Sequence, residues 1–286
     1  MTSIVVHPDN STRPERSGDG IERVRFSDLL RSEWIKFTSL PSMLVGLAGI
    51  VAIGVGSALF LAVTLASSGP PSTPNLDTTI FEITMGTVIL GQIIAGILGV
   101  MSVGGEYSSG TIQSTLMAEP TRVRSLLAKA VMQFVILTAT GLITVLGAWA
   151  VSYSSYAEFG LAAPLDAPGV AFALLSAACY LGMCAIFGVG ITALVRSTTT
   201  GAIGVFVVTL LGPVLSAVLP QGLIAQVVRM FFLGTMGDAM RRILPEGPFL
   251  DVSSGHISPL AAWALAGAWA LVALVAGTIA LRKRDA

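Results

Sequence analysis

Apolar residues fill this chain in six long blocks, each closed by charges. No Asp, Glu, Lys or Arg falls between Phe37 and Leu76, Ile83 and Gly105, Ala130 and Ala157, Ala167 and Val195, Ser197 and Val228, or Val252 and Leu281. Each block can hold the roughly 20 apolar residues that cross a hydrocarbon core. The runs are rich in Ala, Leu and Gly and do not alternate, which predicts helices rather than the short alternating strands of a barrel. The expected spans are 42–66, 83–104, 130–152, 169–195, 200–219 and 259–281. Little more than Arg196 to Thr199 joins the fourth span to the fifth, so these two form a tight hairpin.

Three further segments carry a pattern without being spans. Phe26, Leu29, Leu30, Trp34 and Phe37 recur at helical spacing with Arg31, Glu33 and Lys36 between them. This predicts an amphipathic helix in the membrane interface, before Pro41 opens the first span. Residues 104–129 read GGEYSSGTIQSTLMAEPTRVRSLLAK. There Ser108, Ser109 and Gly110 interrupt the preceding helix, and Thr111 caps a short helix with Ile112 and Leu116 on one face. Glu119-Pro120 stops it, Thr121 caps the next helix, and Lys129 snorkels toward the headgroups. In residues 219–258, Leu223, Ile224, Val227, Val228, Phe231 and Phe232 form an apolar helical stripe. That stripe fits either a helix on the outer leaflet or a re-entrant hairpin. Pro213 and Pro220 kink or end the fifth span beside it. Asp238, Arg241 and Arg242 follow too closely for a seventh span.

Composition fixes the solvent. Of 286 residues 53% are hydrophobic and only 11% charged, with a mean hydropathy of +0.82, whereas a soluble domain carries about a quarter charged residues. A net charge of zero lacks the basic stripe of a nucleic-acid partner. The basic residues also orient the chain. Arg13, Arg16, Arg23, Arg25, Arg31 and Lys36 precede the first span, Arg122, Arg124 and Lys129 follow the second, Arg196 marks the hairpin, and Arg282, Lys283 and Arg284 end the chain. Connections 67–82 and 153–168 hold none. Basic flanks resist translocation, so both termini are expected in the cytoplasm. Trp149, Tyr153 and Tyr156 fall at the outer end of the third span, where an aromatic belt is expected. Residues 1–24 read as a disordered tail rather than a signal peptide. The Ala, Gly and Val richness suggests a high-GC bacterium, and the expected location is a bacterial plasma membrane. Small residues four apart, Ala95/Gly99 and Ala273/Gly277, suit close helix packing.

The missing motifs narrow the function. The lysines are Lys36, Lys129 and Lys283, none after a glycine, so the chain has no phosphate-binding loop of its own. With His7 and His256 as the only histidines, no HExxH is possible. Cys179 and Cys184, five apart, do not stack on one helix face and read as buried hydrophobes. The span centres carry no ionisable residue, which proton-driven carriers and intramembrane proteases usually need there. Gln92 and Gln133 are the polar exceptions, suited to interhelical hydrogen bonds. The spans read as a pathway or scaffold without its own engine, and a non-transport scaffold or sensor is the alternative to a transport permease.

Glu106-Tyr107-x-x-Gly110-Thr111-Ile112, followed by Pro120-x-Arg122-x-Arg124 and then Leu127 and Lys129, resembles the signature after the second span of type-2 ABC exporter permeases. Arg31-Ser32-Glu33-Trp34-Ile35-Lys36 resembles the elbow helix that opens those chains. The resemblance implies an all-α membrane protein: six transmembrane helices, an N-terminal interfacial elbow helix (Phe26, Leu29, Leu30, Trp34, Phe37), and a cytoplasmic coupling helix over Thr111 to Glu119. A permease domain over 25–286 would export a drug, antibiotic or lipid-like substrate. It would pair with a second permease copy and with ABC ATPase subunits, ATP and Mg being bound in those partners and no cofactor by this chain. Glu106, Gly110, Thr111, Ile112, Leu116, Glu119, Pro120, Arg122 and Arg124 would form the coupling segment. Glu106 would pair with a cytoplasmic arginine, or simply end its span in headgroup water. Leu223, Val227 and Phe231 would lie at the outer gate.

Overall fold

The computed structural model describes residues 25–69, 75–108, 122–220, 222–243 and 247–283. The expected tail, 1–24, lies outside them. Among the described residues six helices are long and apolar enough to cross a membrane: Pro41–Ser68, Leu76–Tyr107, Val123–Glu158, Val170–Val195, Thr198–Val218 and Pro259–Arg282. The chain is an all-α membrane protein of the multi-pass kind.

Helix α1, Phe26–Ser39, starts where the Asp28 carboxylate accepts from the Arg25 backbone N–H at 3.3 Å. Pro41 then sits at the first position of α2, Pro41–Ser68, where its fixed φ and missing N–H cost nothing. The second span is α3, Leu76–Ile89, continued after Leu90 by α4, Gly91–Ser108. It begins a full two turns before the expected 83, because Asn75 caps it by accepting from the Thr78 N–H at 2.7 Å. Glu82, expected to bound the span, lies within the helix and accepts from the Tyr156 hydroxyl at 2.6 Å. The third span, α5, runs Arg122–Glu158, well beyond 130–152 at both ends. Charges limit the apolar window, but a helix continues past them wherever they find partners.

Helix α6, Val170–Val195, is the centre. The apolar window of this fourth span is 72% buried, against 17% for the first span. Its neighbours are α4, α5 and the last helix, α11, Pro259–Lys283. Close approach depends on glycine. A Cβ on Gly99 would collide with the Ala185 backbone, and one on Gly188 with the Gly96 carbonyl. The Gly277 site likewise packs on Gly190 and Ala193. These are the small-residue contacts that membrane helices use in place of a hydrophobic drive.

Arg196, at φ 56 in the left-handed region, closes α6 by donating its N–H to the Thr192 carbonyl at 2.8 Å. Ser197 caps α7, Thr198–Phe206, and the tight hairpin follows. The fifth span continues through a π-helical turn, Val207–Leu211, into α8, Gly212–Val218. Pro213 has no N–H for the carbonyl four residues back, which widens the helix there. Beyond it, α9 (Leu223–Phe231) and α10 (Leu233–Met240) meet at 82°. Leu223, Ile224, Val227 and Phe231 are exposed, while Leu233, Met236 and Met240 are fully buried in the main core. Two-residue strands β1 (Leu250–Asp251) and β2 (His256–Ile257) pair antiparallel before α11. Asp251 ends β1 before the turn, its pKa held down to about 2 by the Ser253 and Ser254 hydroxyls.

Candidate functional site

The basic end of the bundle holds a closed ring of four charges from three helices. Glu33 and Lys36 come from α1, Glu106 from the last turn of α4, and Lys129 from the second turn of α5. Lys36 Nζ lies 2.9 Å from Glu33 Oε1 and 2.8 Å from Glu106 Oε1. Lys129 Nζ lies 2.5 Å from Glu33 Oε2 and 3.0 Å from Glu106 Oε1. Each ammonium thus bridges both carboxylates. The side chains of Lys129, Glu33 and Glu106 are 5%, 8% and 16% exposed, while Lys36 is 41% exposed and forms the outer member. Burial pulls the Lys36 pKa down, but hydrogen bonds to Glu106 and Glu33 and their charges outweigh it. The net value lies above the ordinary lysine range.

Local sequence explains the convergence. Glu33 and Lys36 are three apart on α1 and so share a face. Phe37, one turn beyond Glu33, is buried on that same face, so packing Phe37 carries the carboxylate inward. Leu126 and Ala130 are buried beside Lys129 on α5. Buried ion pairs persist only where each charge is answered by good geometry, and the alternating ring supplies it.

Several sequence expectations change here. Lys129 does not snorkel: it points inward to two carboxylates. Glu106 pairs with two lysines rather than an arginine. Glu33 and Lys36, interleaved with the apolar positions of the expected interfacial helix, bond to charges on α4 and α5, and Trp34 is turned outward, 52% exposed. Phe26, Leu29 and Leu30 are half-buried, as is Arg124 on α5. Gly110, Thr111, Ile112, Leu116, Glu119 and Pro120 lie outside the described residues, and of Arg122 only the backbone, in α5, is described. Leu223, Val227 and Phe231 sit together at the opposite end of the bundle, exposed on α9. The ring as a unit leaves no contiguous pattern in the sequence. Its one local signal was the Glu33/Lys36 spacing, while its other two members lie 70 and 96 residues along the chain from Lys36 and Glu33.

At that opposite end a buried arginine holds the bent pair. Arg241 is 1% exposed and donates to the Phe81 carbonyl at 2.8 Å, to Thr84 Oγ1 at 3.0 Å and to Asp238. Its guanidinium lies 3.9 Å from the centre of the Phe81 ring. Asp77 adds a bond from the Ile243 N–H at 2.8 Å. Arg229 meanwhile donates to the Ser216 and Leu219 carbonyls at 2.8 and 2.9 Å, closing the end of α8. In the interior, the Tyr180 hydroxyl donates to the Gln92 amide between α6 and α4 and lies 3.0 Å from the Leu233 carbonyl.

No curated protein matches the chain. A family model described as an ABC-2 family transporter protein matches residues 75–286.

Proposed function

The chain belongs to the ABC-2 transporter family, and on that premise we propose that this ABC transporter permease is the pathway-forming subunit of an ATP-driven exporter. In this reading two copies form the pathway, and separate ATPase subunits bind ATP and Mg. The ring end of the bundle faces the cytoplasm of a bacterial cell. The substrate is apolar or amphipathic, in keeping with spans whose centres carry no charge.

The observation that carries the reading is the position of the ring relative to segment 109–121. Glu106 lies two residues before the end of α4 at Ser108, and Lys129 lies two turns into α5, which starts at Arg122. Whatever force acts on the segment between these helices is delivered to both of its ends. The ring then ties those ends to α1 through bonds of 2.5–3.0 Å. This is the mechanical arrangement a coupling helix at Thr111 to Glu119 needs, and it gives α1 the role of an elbow helix. At the other end, the 82° bend between α9 and α10 supports a re-entrant pair near the exit, with Leu223, Val227 and Phe231 on its outer helix.

The test starts from a mild-detergent purification of the tagged chain with the ATPase that accompanies it. In reconstituted vesicles, Glu106→Gln is expected to leave ATP hydrolysis intact while transport is lost. Transport at the unmodified rate by Glu106→Gln would sink the coupling assignment. Repeated intact preparations without an ATPase would favour a scaffold or sensor.

A further inference from the structure

Beneath the charge ring lies a cleft of about 540 Å³ between α1, the start of α2, α4 and α5. Clefts of this size accept drug-sized molecules. Its walls are mostly apolar: Phe37, Leu40, Met43, Met101 and Met132. Thioether side chains adapt to irregular hydrocarbon shapes.

One polar group on the wall has no partner. Gln133, 2% exposed, lies one turn beyond Lys129 on the same face of α5 and lines the cleft. Its Oε1 accepts no hydrogen bond. A buried acceptor left unpaired is costly; Oε1 is closed off as the amide stands, and rotation about the soft terminal torsion of Gln133 turns it to the cleft that this side chain lines. The charge ring gives the donor's character. Its two carboxylates and two ammoniums answer one another, so the cleft offers no surplus charge to an ion. A neutral donor gains the Gln133 bond without disturbing the ring. Leu40, 46% exposed at the corner between α1 and α2, stands on the wall of the cleft.

We propose that this cleft binds a neutral amphipath from the bilayer, its hydroxyl or amide N–H donating to Gln133 Oε1 and its hydrocarbon lying along Met43, Met101 and Met132. The site goes beyond the permease reading, because binding there is a property of this chain whether or not the molecule is transported.

The experiment uses the full chain in phosphatidylcholine nanodiscs, whose headgroups carry no hydrogen-bond donor. The probe is a monoacylglycerol with a diazirine in mid-chain, and the control is the methyl ester of the same fatty acid, which has no hydroxyl. Photolabelling read by mass spectrometry is expected to saturate in the peptides holding Met101 and Met132. The ester should label there about tenfold more weakly, the effect of one good buried hydrogen bond. Gln133→Leu should bring the monoacylglycerol down to the level of the ester, and Met132→Trp, which fills the cleft, should abolish both. The idea is overturned if the two probes label the cleft equally, if neither saturates, or if label spreads along outward residues such as Val45, Phe60 and Ile143. The comparison of the two probes on the unmodified chain stands even if a variant fails to insert.

Discussion

At the scale of single residues, the ring turns on which charge is removed. Lys129 is nearly inaccessible and touches both carboxylates, so Lys129→Met leaves two buried negative charges answered only by Lys36. Such an orphaned arrangement costs about 3–5 kcal/mol, visible as a lower melting temperature in detergent. Adding Glu33→Gln to Lys129→Met removes one orphan and is expected to recover much of that loss. Lys36, 41% exposed, is screened by water, so Lys36→Met should cost less than about 1 kcal/mol. The sign of its pH dependence follows from its raised pKa. A cation whose folded pKa exceeds 10.5 contributes fully below that value and loses its contribution as pH rises through the folded value. Melting temperature should therefore not change on account of Lys36 between pH 7 and about pH 10. The Glu33/Lys36 pair was legible as a local i, i+3 contact, but the identity of its partners was not. A sequence records separations along the chain, and these bonds close loops of 70 and 96 residues.

At the scale of elements, packing separates glycines that look alike in sequence. A Cβ on Gly99 meets the Ala185 backbone, which has no rotamer through which to yield, whereas a Cβ on Gly56 meets open space. Gly99→Val is expected to destabilise the protein by about 1–3 kcal/mol or more, and Gly56→Val to leave it unchanged, read as the heat-resistant monodisperse fraction on size exclusion. The bent pair α9 and α10 depends in the same way on Arg241, which reaches α3 from the far side of the bend. Arg241→Leu should raise amide exchange across residues 233–240 by about tenfold while α6 stays protected, the response to losing ~1.4 kcal/mol of local stability. The apolar stripe on α9 was visible as periodicity. That α10 would be buried was not, because Asp238, Arg241 and Arg242 argue for water until Phe81 and Thr84 are known to face Arg241.

At the scale of the whole molecule, an even number of spans puts both ends of the chain on one side. After replacing the native cysteines with alanine, single cysteines at Ser39, Ser197 and Arg282 are expected to react with a membrane-impermeant maleimide only in inside-out vesicles. Those at Glu158 and Ser254 should react only in intact cells. Labelling of Ser39 and Ser254 from the same side would overturn the span count, and labelling of Ser39 in intact cells would overturn the orientation. The charge ring and the Arg241 tether then lie at opposite ends of one bundle, joined through α4, α5 and α6. Movement at the ring can reach the bent pair through these packed helices.

The sequence alone determined the solvent, the number and order of the spans, their helical form and the basic asymmetry of the two ends. Each follows from how hydrocarbon excludes charge and unpaired backbone, a constraint every segment meets on its own. It also carries, over residues 75–286, the match to the family. Tertiary structure decided what polar groups do once inside: that Lys129 turns inward, that Glu82 and Asp77 belong to a spanning helix, that Arg241 is a buried tether, and that Gln133 lines a cleft with its amide oxygen unpaired. Those outcomes rest on pairings between distant segments, where burial is tolerated only if the opposite group arrives, and no local pattern encodes its arrival.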